Sequence, residues 1–143
     1  MIQVAFYKAN QPKATWLDKL ISFYTKGPFS HVELIIDGYQ YSSSPRDGGV
    51  RKVPHKLDHT VWEYIELNNI ETNKILTFFE ETKYAKYDYT GILGFIFLNK
   101  DSEKKWFCSE WVTRALIIGG YNKLFPIKES ITSPNRLYRL IKG

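Results

Sequence analysis

Phe29-Ser30-His31-Val32-Glu33-Leu34-Ile35-Ile36-Asp37-Gly38-Tyr39-Gln40-Tyr41-Ser42-Ser43-Ser44 is the stretch from which the architecture can be read. A run rich in β-branched and apolar residues ends at an Asp-Gly pair and a second run follows, which predicts a β-hairpin closed by a two-residue turn. Side chains alternate along a strand with a period of two, so Val32, Leu34 and Ile36 share one side while His31, Glu33 and Ile35 share the other. If Asp37 and Gly38 form the turn, Ile36 faces Tyr39, and the same count sets Glu33 opposite Ser42 and His31 opposite Ser44. Directly opposed residues share a face. Glu33, Ser42 and Ser44 are therefore the candidates to stand beside the His31 imidazole, and Ser43 is expected to point away; an odd-length turn would bring Ser43 there instead.

The histidine gains significance from Cys108, the single cysteine of the 143-residue chain, which lies in Trp106-Phe107-Cys108-Ser109-Glu110-Trp111-Val112 where an apolar helix is predicted to start. Free backbone N–H groups and the positive end of the helix dipole favour a thiolate at such a place. A thiol nucleophile also needs a base, and a histidine at the mouth of a strand can supply one although the two residues are far apart in sequence. The competing reading is a core cysteine, since free cysteine is among the most buried residue types. For the third role, orientation of the imidazole, the candidates are Ser44 and Glu33. The alternative for the serines is a Ser-rich turn leading into Pro45.

Around this frame the chain reads as one α+β domain. Predicted strands cover 2–7, 31–36, 39–44 and 61–67; predicted helices cover 15–25, with Thr15 as cap, and 71–85, with the Cys108 helix stopping at Gly119-Gly120. Residues 89–98 are ambiguous by pattern, and Ser133-Pro134 announces a last short helix with serine as cap and proline in the first turn. A hydrophobic share of 43% over 143 residues supplies a single core, so no linker is needed.

Four stretches together resemble the circularly permuted papain-like superfamily of NlpC type, which includes YiiX-like bacterial proteins and lecithin:retinol acyltransferase-like proteins: Ser30-His31-Val32, Gly48-Gly49-Val50-Arg51, Lys86-Tyr87-Asp88-Tyr89 with Gly91, and Phe107-Cys108-Ser109-Glu110-Trp111-Val112. The order, His first and Cys last, is that of the permuted branch. Ser30 to Leu34 with Ser42 to Val50 also resembles phage-encoded members. The resemblance implies a permuted papain-like fold in which the helix bearing Cys108 packs on an antiparallel sheet bearing His31. It implies helix for 89–98, and it sets Tyr87 and Asp88 beside the cleft, where a tyrosine hydroxyl would contact substrate; capping of the next helix by Asp88 is the alternative. Ser42 is the further candidate substrate contact. Related proteins often carry Glu or His as the orienting group, so a serine there departs from the pattern and leaves Glu33 in contention.

The chemistry so implied is acyl transfer, with His31 taking the thiol proton, Cys108 attacking a carbonyl and helix-start N–H groups holding the oxyanion. Hydrolysis of a peptide or amide bond, with cell-wall peptide as one target, is the leading expectation. A lipid-directed thiol acyltransferase or esterase is the second, and a non-catalytic binding module or phage accessory protein is the third.

Composition narrows the partners. One cysteine excludes an intramolecular disulfide and a Cys-rich zinc site. His55 and His59 have the spacing of a helical metal pair, but Pro54 stands before them and no glutamate lies between, so a loop is expected, with neither metal nor cofactor. A net charge of +5 favours anionic substrates. The lysines form no basic stripe or recognition helix, which argues against nucleic acid. Arg46 and Asp47 read as a turn or as a substrate contact, and Glu110 as a complement to the helix dipole. The start of the chain has no signal-peptide pattern and no stretch is apolar for long enough to span a bilayer, so a cytoplasmic protein is expected, in the host cytoplasm for a phage protein.

Overall fold

In the computed structural model, residues 2–12, 14, 15, 18, 19, 21, 22, 26–87, 105–124 and 132–143 are described. The strands are β1 (Ile2–Lys8), β2 (Phe29–Ile36), β3 (Tyr39–Ser44), β4 (Gly49–Pro54), β5 (Trp62–Leu67), β6 (Lys86–Tyr87) and β7 (Lys105–Trp106); the α-helices are α1 (Thr72–Thr82), α2 (Cys108–Ile118) and α3 (Pro134–Lys142), with a 3-10 turn over Asn122–Leu124. The chain is thus a mixed α+β protein. Its sheet has the order β5-β1-β2-β3-β4-β6-β7, antiparallel except for the final β6–β7 pair.

The hairpin register follows from its turn. Asp37 and Gly38 both have positive φ, 50° and 79°, as a two-residue turn matched to the twist of its strands requires. Ile36 pairs with Tyr39, Ile35 with Gln40 and Leu34 with Tyr41. A second reversal at Gly48 leads β3 into β4, where Ser42 pairs with Arg51, Ser43 with Val50 and Ser44 with Gly49. Gly49 has a steric reason to be glycine. A Cβ there would lie 1.9 Å from the Ala85 carbonyl oxygen, at the point where the chain returns from α1 to form β6.

One face of the sheet supplies Val4, Phe6, Val32, Leu34, Ile36, Tyr41 and Val50 to the core. Against it lie Trp111, Val112, Ala115 and Leu116 of α2, Ile75 and Phe79 of α1, and Leu137 and Ile141 of α3. Each such aliphatic or aromatic side chain contributes about 1.5–3 kcal/mol relative to exposure, which makes the helices a consequence of this face more than of local propensity. The helix ends are local. Ser133 caps α3 by accepting from the Arg136 N–H at 3.1 Å, with Pro134 in the first turn, and α2 ends at Gly119.

Some expectations are modified. The helix expected over 71–85 ends at Thr82, because Lys83 is extended and Tyr84 has φ 70°, which frees Ala85 to Tyr87 to join the sheet edge. Of the helix expected over 15–25, Asp18, Lys19, Ile21 and Ser22 are helical, and Thr15 Oγ1 accepts from the Asp18 N–H at 3.3 Å as a cap should. Its Trp16, Leu17, Leu20 and Tyr24 lie outside the described residues, as do 89–98 and Asp88. No described helix is long and apolar enough to cross a membrane.

Candidate functional site

β2 carries the first two groups. His31 and Glu33 project from the face opposite the core, and His31 Nε2 contacts Glu33 Oε2 directly. Cys108 lies near enough to the same imidazole to raise its pKa. With Nε2 committed to the carboxylate, Nδ1 is the ring nitrogen that Glu33 leaves free. Cys108 is the first residue of α2, whose N-cap, Phe107, is extended. Helix geometry leaves the first-turn N–H groups without intrahelical acceptors. Glu110 closes that turn by accepting from the Phe107 N–H at 3.1 Å, a capping contact.

Glu33 is fully buried and is gripped from its other side. Arg51 donates from Nη1 to Oε1 at 2.6 Å and from Nη2 to Oε2 at 2.9 Å, and its Nε donates to Asp47 Oδ2 at 2.8 Å. Glu33 and Arg51 stand on strands two apart, a separation of roughly 9–10 Å between backbones. The contact forms because Ser42, the residue of β3 paired with Arg51, is small enough for the guanidinium to lie across it. Ser42 Oγ is buried and has no hydrogen-bond partner among the described residues. Ser42 does not line the cavity, so it is not the substrate contact expected from the sequence.

The titration behaviour follows from these contacts. Burial by itself lowers the His31 pKa, but electrostatic interaction with Cys108 and with the Glu33 carboxylate, which also hydrogen-bonds the ring, outweighs it and pushes the value from 6.5 up to about 10. Burial would raise Glu33; His31 and then Arg51 overcome this and hold its carboxyl below the usual 4.5. His31 is accordingly an imidazolium at neutral pH. Its side chain is only 15% exposed, so these interactions are weakly screened.

A cavity of about 290 Å³ opens on this side of the sheet, with His31, Glu33, Ser44 and Arg51 in its polar wall and Tyr7, Val53 and Trp62 in its apolar wall. The Tyr7 and Trp62 rings meet edge-on at 5.2 Å, and Trp62 lies 6.4 Å from the His31 ring. Cys108 itself is fully buried and is not among the lining residues.

The other candidates separate cleanly. Ser44 lines the cavity, whereas Ser43 points to the opposite side and donates to the Trp106 carbonyl at 2.6 Å. Tyr87 is buried with its ring 5.5 Å from Phe107, in the core and away from the cavity. His55 bonds Gln40 at 2.8 Å and the Tyr64 hydroxyl at 2.7 Å, while His59 packs its ring on Tyr64. No cluster of three or more potential metal ligands occurs among the described residues. Sequence reasoning left three participants without a role here: Arg51, Tyr7 and Trp62. Only Arg51 had a local signal, its position nine residues after Ser42 across a Gly-containing reversal. No protein-family model matches the chain, and no curated protein matches it in sequence.

Proposed function

We propose that the chain is a cysteine-dependent acyl hydrolase of the permuted papain-like kind, acting on a peptide or amide bond. The observation that carries this reading is the juxtaposition of Cys108, His31 and Glu33, in which a thiol at a helix start raises the pKa of an imidazole whose Nε2 is held by a buried carboxylate. The reacting form in this mechanism is a Cys108 thiolate paired with the His31 imidazolium. The Cys108 thiolate attacks the carbonyl carbon to form a C–S bond; the imidazolium gives its proton to the departing amine as the C–N bond breaks. Neutral His31 then takes a proton from water, whose oxygen displaces the thiolate from the thioester. The N–H groups of the first turn of α2 are the donors for the oxyanion. The cavity would receive the acyl portion, and Arg46 at its margin, with no ion pair among the described residues, favours a substrate bearing an anionic group.

One observation favours a second reading. The thiol is fully buried, and the cavity reaches His31 without reaching the sulfur. A binding module that retains Cys108 as a core residue would look the same in this respect. Labelling with a peptide vinyl sulfone and with small activated esters, followed by mass spectrometry, separates the two. Hydrolase chemistry predicts modification of Cys108 in the folded protein, falling by on the order of 10²- to 10⁴-fold in His31→Ala while the fold persists. Labelling that requires denaturant, or that ignores His31, would establish the binding module instead.

A further inference from the structure

We propose that Arg51 is the positioning residue of this site: its guanidinium, tied back to Asp47, fixes both oxygens of Glu33 so that the carboxylate holds the His31 ring with Nδ1 towards Cys108. The inference rests on the hydrolase reading for its purpose but on its own geometry for its substance. A lone buried carboxylate can rotate about its last torsion and offer either oxygen at many angles, since terminal sp³–sp² torsions are broad. The fork removes that freedom. Two parallel N–H···O bonds of 2.6 and 2.9 Å set the carboxylate plane, and the third, from Nε to Asp47, sets the guanidinium plane. Four side chains from β2, the β3–β4 turn and β4 thereby form one ordered row that ends at the thiol of α2.

Arg51 has a simpler possible role, neutralisation of a buried negative charge, and the two roles predict opposite shifts. Among the described residues, the charged or titratable groups around Glu33 and His31 are Arg51 on β4, Asp47 in the turn, Cys108 on α2, Tyr7 on β1 opposite His31, Asp18 and Arg46 on the cavity wall, and His55 after β4, which feels the Glu33 charge. If Arg51 acts only by charge, deleting it removes a cation near His31, and the imidazole should hold its proton to higher pH. If it positions Glu33, deleting it lets the carboxylate turn away, and the imidazole should lose its proton at lower pH. Lysine keeps the charge but not the fork, so Arg51→Lys should behave like the deletion and not like the parent.

The experiment is imidazole NMR of histidine-labelled protein as a function of pH, with the resonances of the three histidines assigned by single substitutions. In Arg51→Gln and Arg51→Lys the His31 midpoint should fall by about one pH unit or more, and by more than any change at His55, which feels Glu33 from farther away. Acylation of Cys108 by a small activated ester should slow in parallel. Asp47 is 44% exposed at its side chain, so Asp47→Asn is a mild variant that retains the fold; it should shift His31 in the same direction by less. A midpoint that rises in Arg51→Gln, or stays put in Arg51→Lys or Asp47→Asn, overturns the proposal. Failure of the hydrolase reading would look different, namely a parent protein whose Cys108 resists acylation whatever stands at position 51.

Discussion

Glu33→Gln is the substitution that most directly tests the physics of the buried row. The side chain is fully buried between two cations, His31 and Arg51, and the change keeps its shape while removing its charge. Removing one partner of a buried ion pair costs about 3–5 kcal/mol. Gln can still accept one hydrogen bond, and Arg51 keeps Asp47, so the lower end is expected, about 3 kcal/mol. For a domain of this size that is a fall in Tm of roughly 10 °C. The cost should also depend on pH with a definite sign. Glu33 titrates below its usual 4.5 in the folded protein, so its contribution is present above that value and is lost as pH falls through the folded midpoint. His31 titrates near 10 instead of 6.5, so its contribution is complete below 6.5 and is lost as pH rises through about 10. The stability gap between parent and variant should therefore be widest from about pH 4.5 to 6.5, shrinking on the acid side and again towards pH 10. Urea denaturation followed by circular dichroism across this range measures it. A gap that is flat with pH, or smaller than about 1 kcal/mol at pH 6, would refute the assignment of these contacts as a coupled buried row.

Ser43→Ala and Ser44→Ala should separate by kind of effect: the first loses the bond to the Trp106 carbonyl and about 1 kcal/mol of stability, read by denaturation. The second should leave stability nearly unchanged and lower Cys108 acylation less than Glu33→Gln does; a larger loss would move the orienting role to Ser44. Gly49→Ala should destabilise by several kcal/mol or prevent folding, because its Cβ would overlap the Ala85 carbonyl oxygen and push β6 from the sheet; expression of a folded Gly49→Ala protein with unchanged Tm would contradict the close approach seen there.

Several parts of this protein are determined by the sequence alone. The Asp37-Gly38 turn, the pairing of Ile36 with Tyr39, the Ser133-Pro134 helix start and the Gly119 stop each depend on the backbone preferences of a few adjacent residues. Such preferences act wherever the segment lies. Period-two alternation likewise brings His31 and Glu33 to one side of β2 and sends Ser43 to the other. What lies across strands was decided only in three dimensions. The hold of Arg51 on Glu33 exists because β4 pairs with β3 in a register that puts Arg51 level with Ser42, and because Ser42 is small. Strands β6 and β7, two residues each, are set by long-range pairing and not by their own propensity. Tyr87 shows the same limit, since its hydroxyl and ring permit a cleft or a core position, and packing on Phe107 selected the core. The burial of Cys108 also came from the tertiary structure, because a helix start fixes the backbone around a thiol while the sheet and helices packed against it decide whether solvent reaches the sulfur.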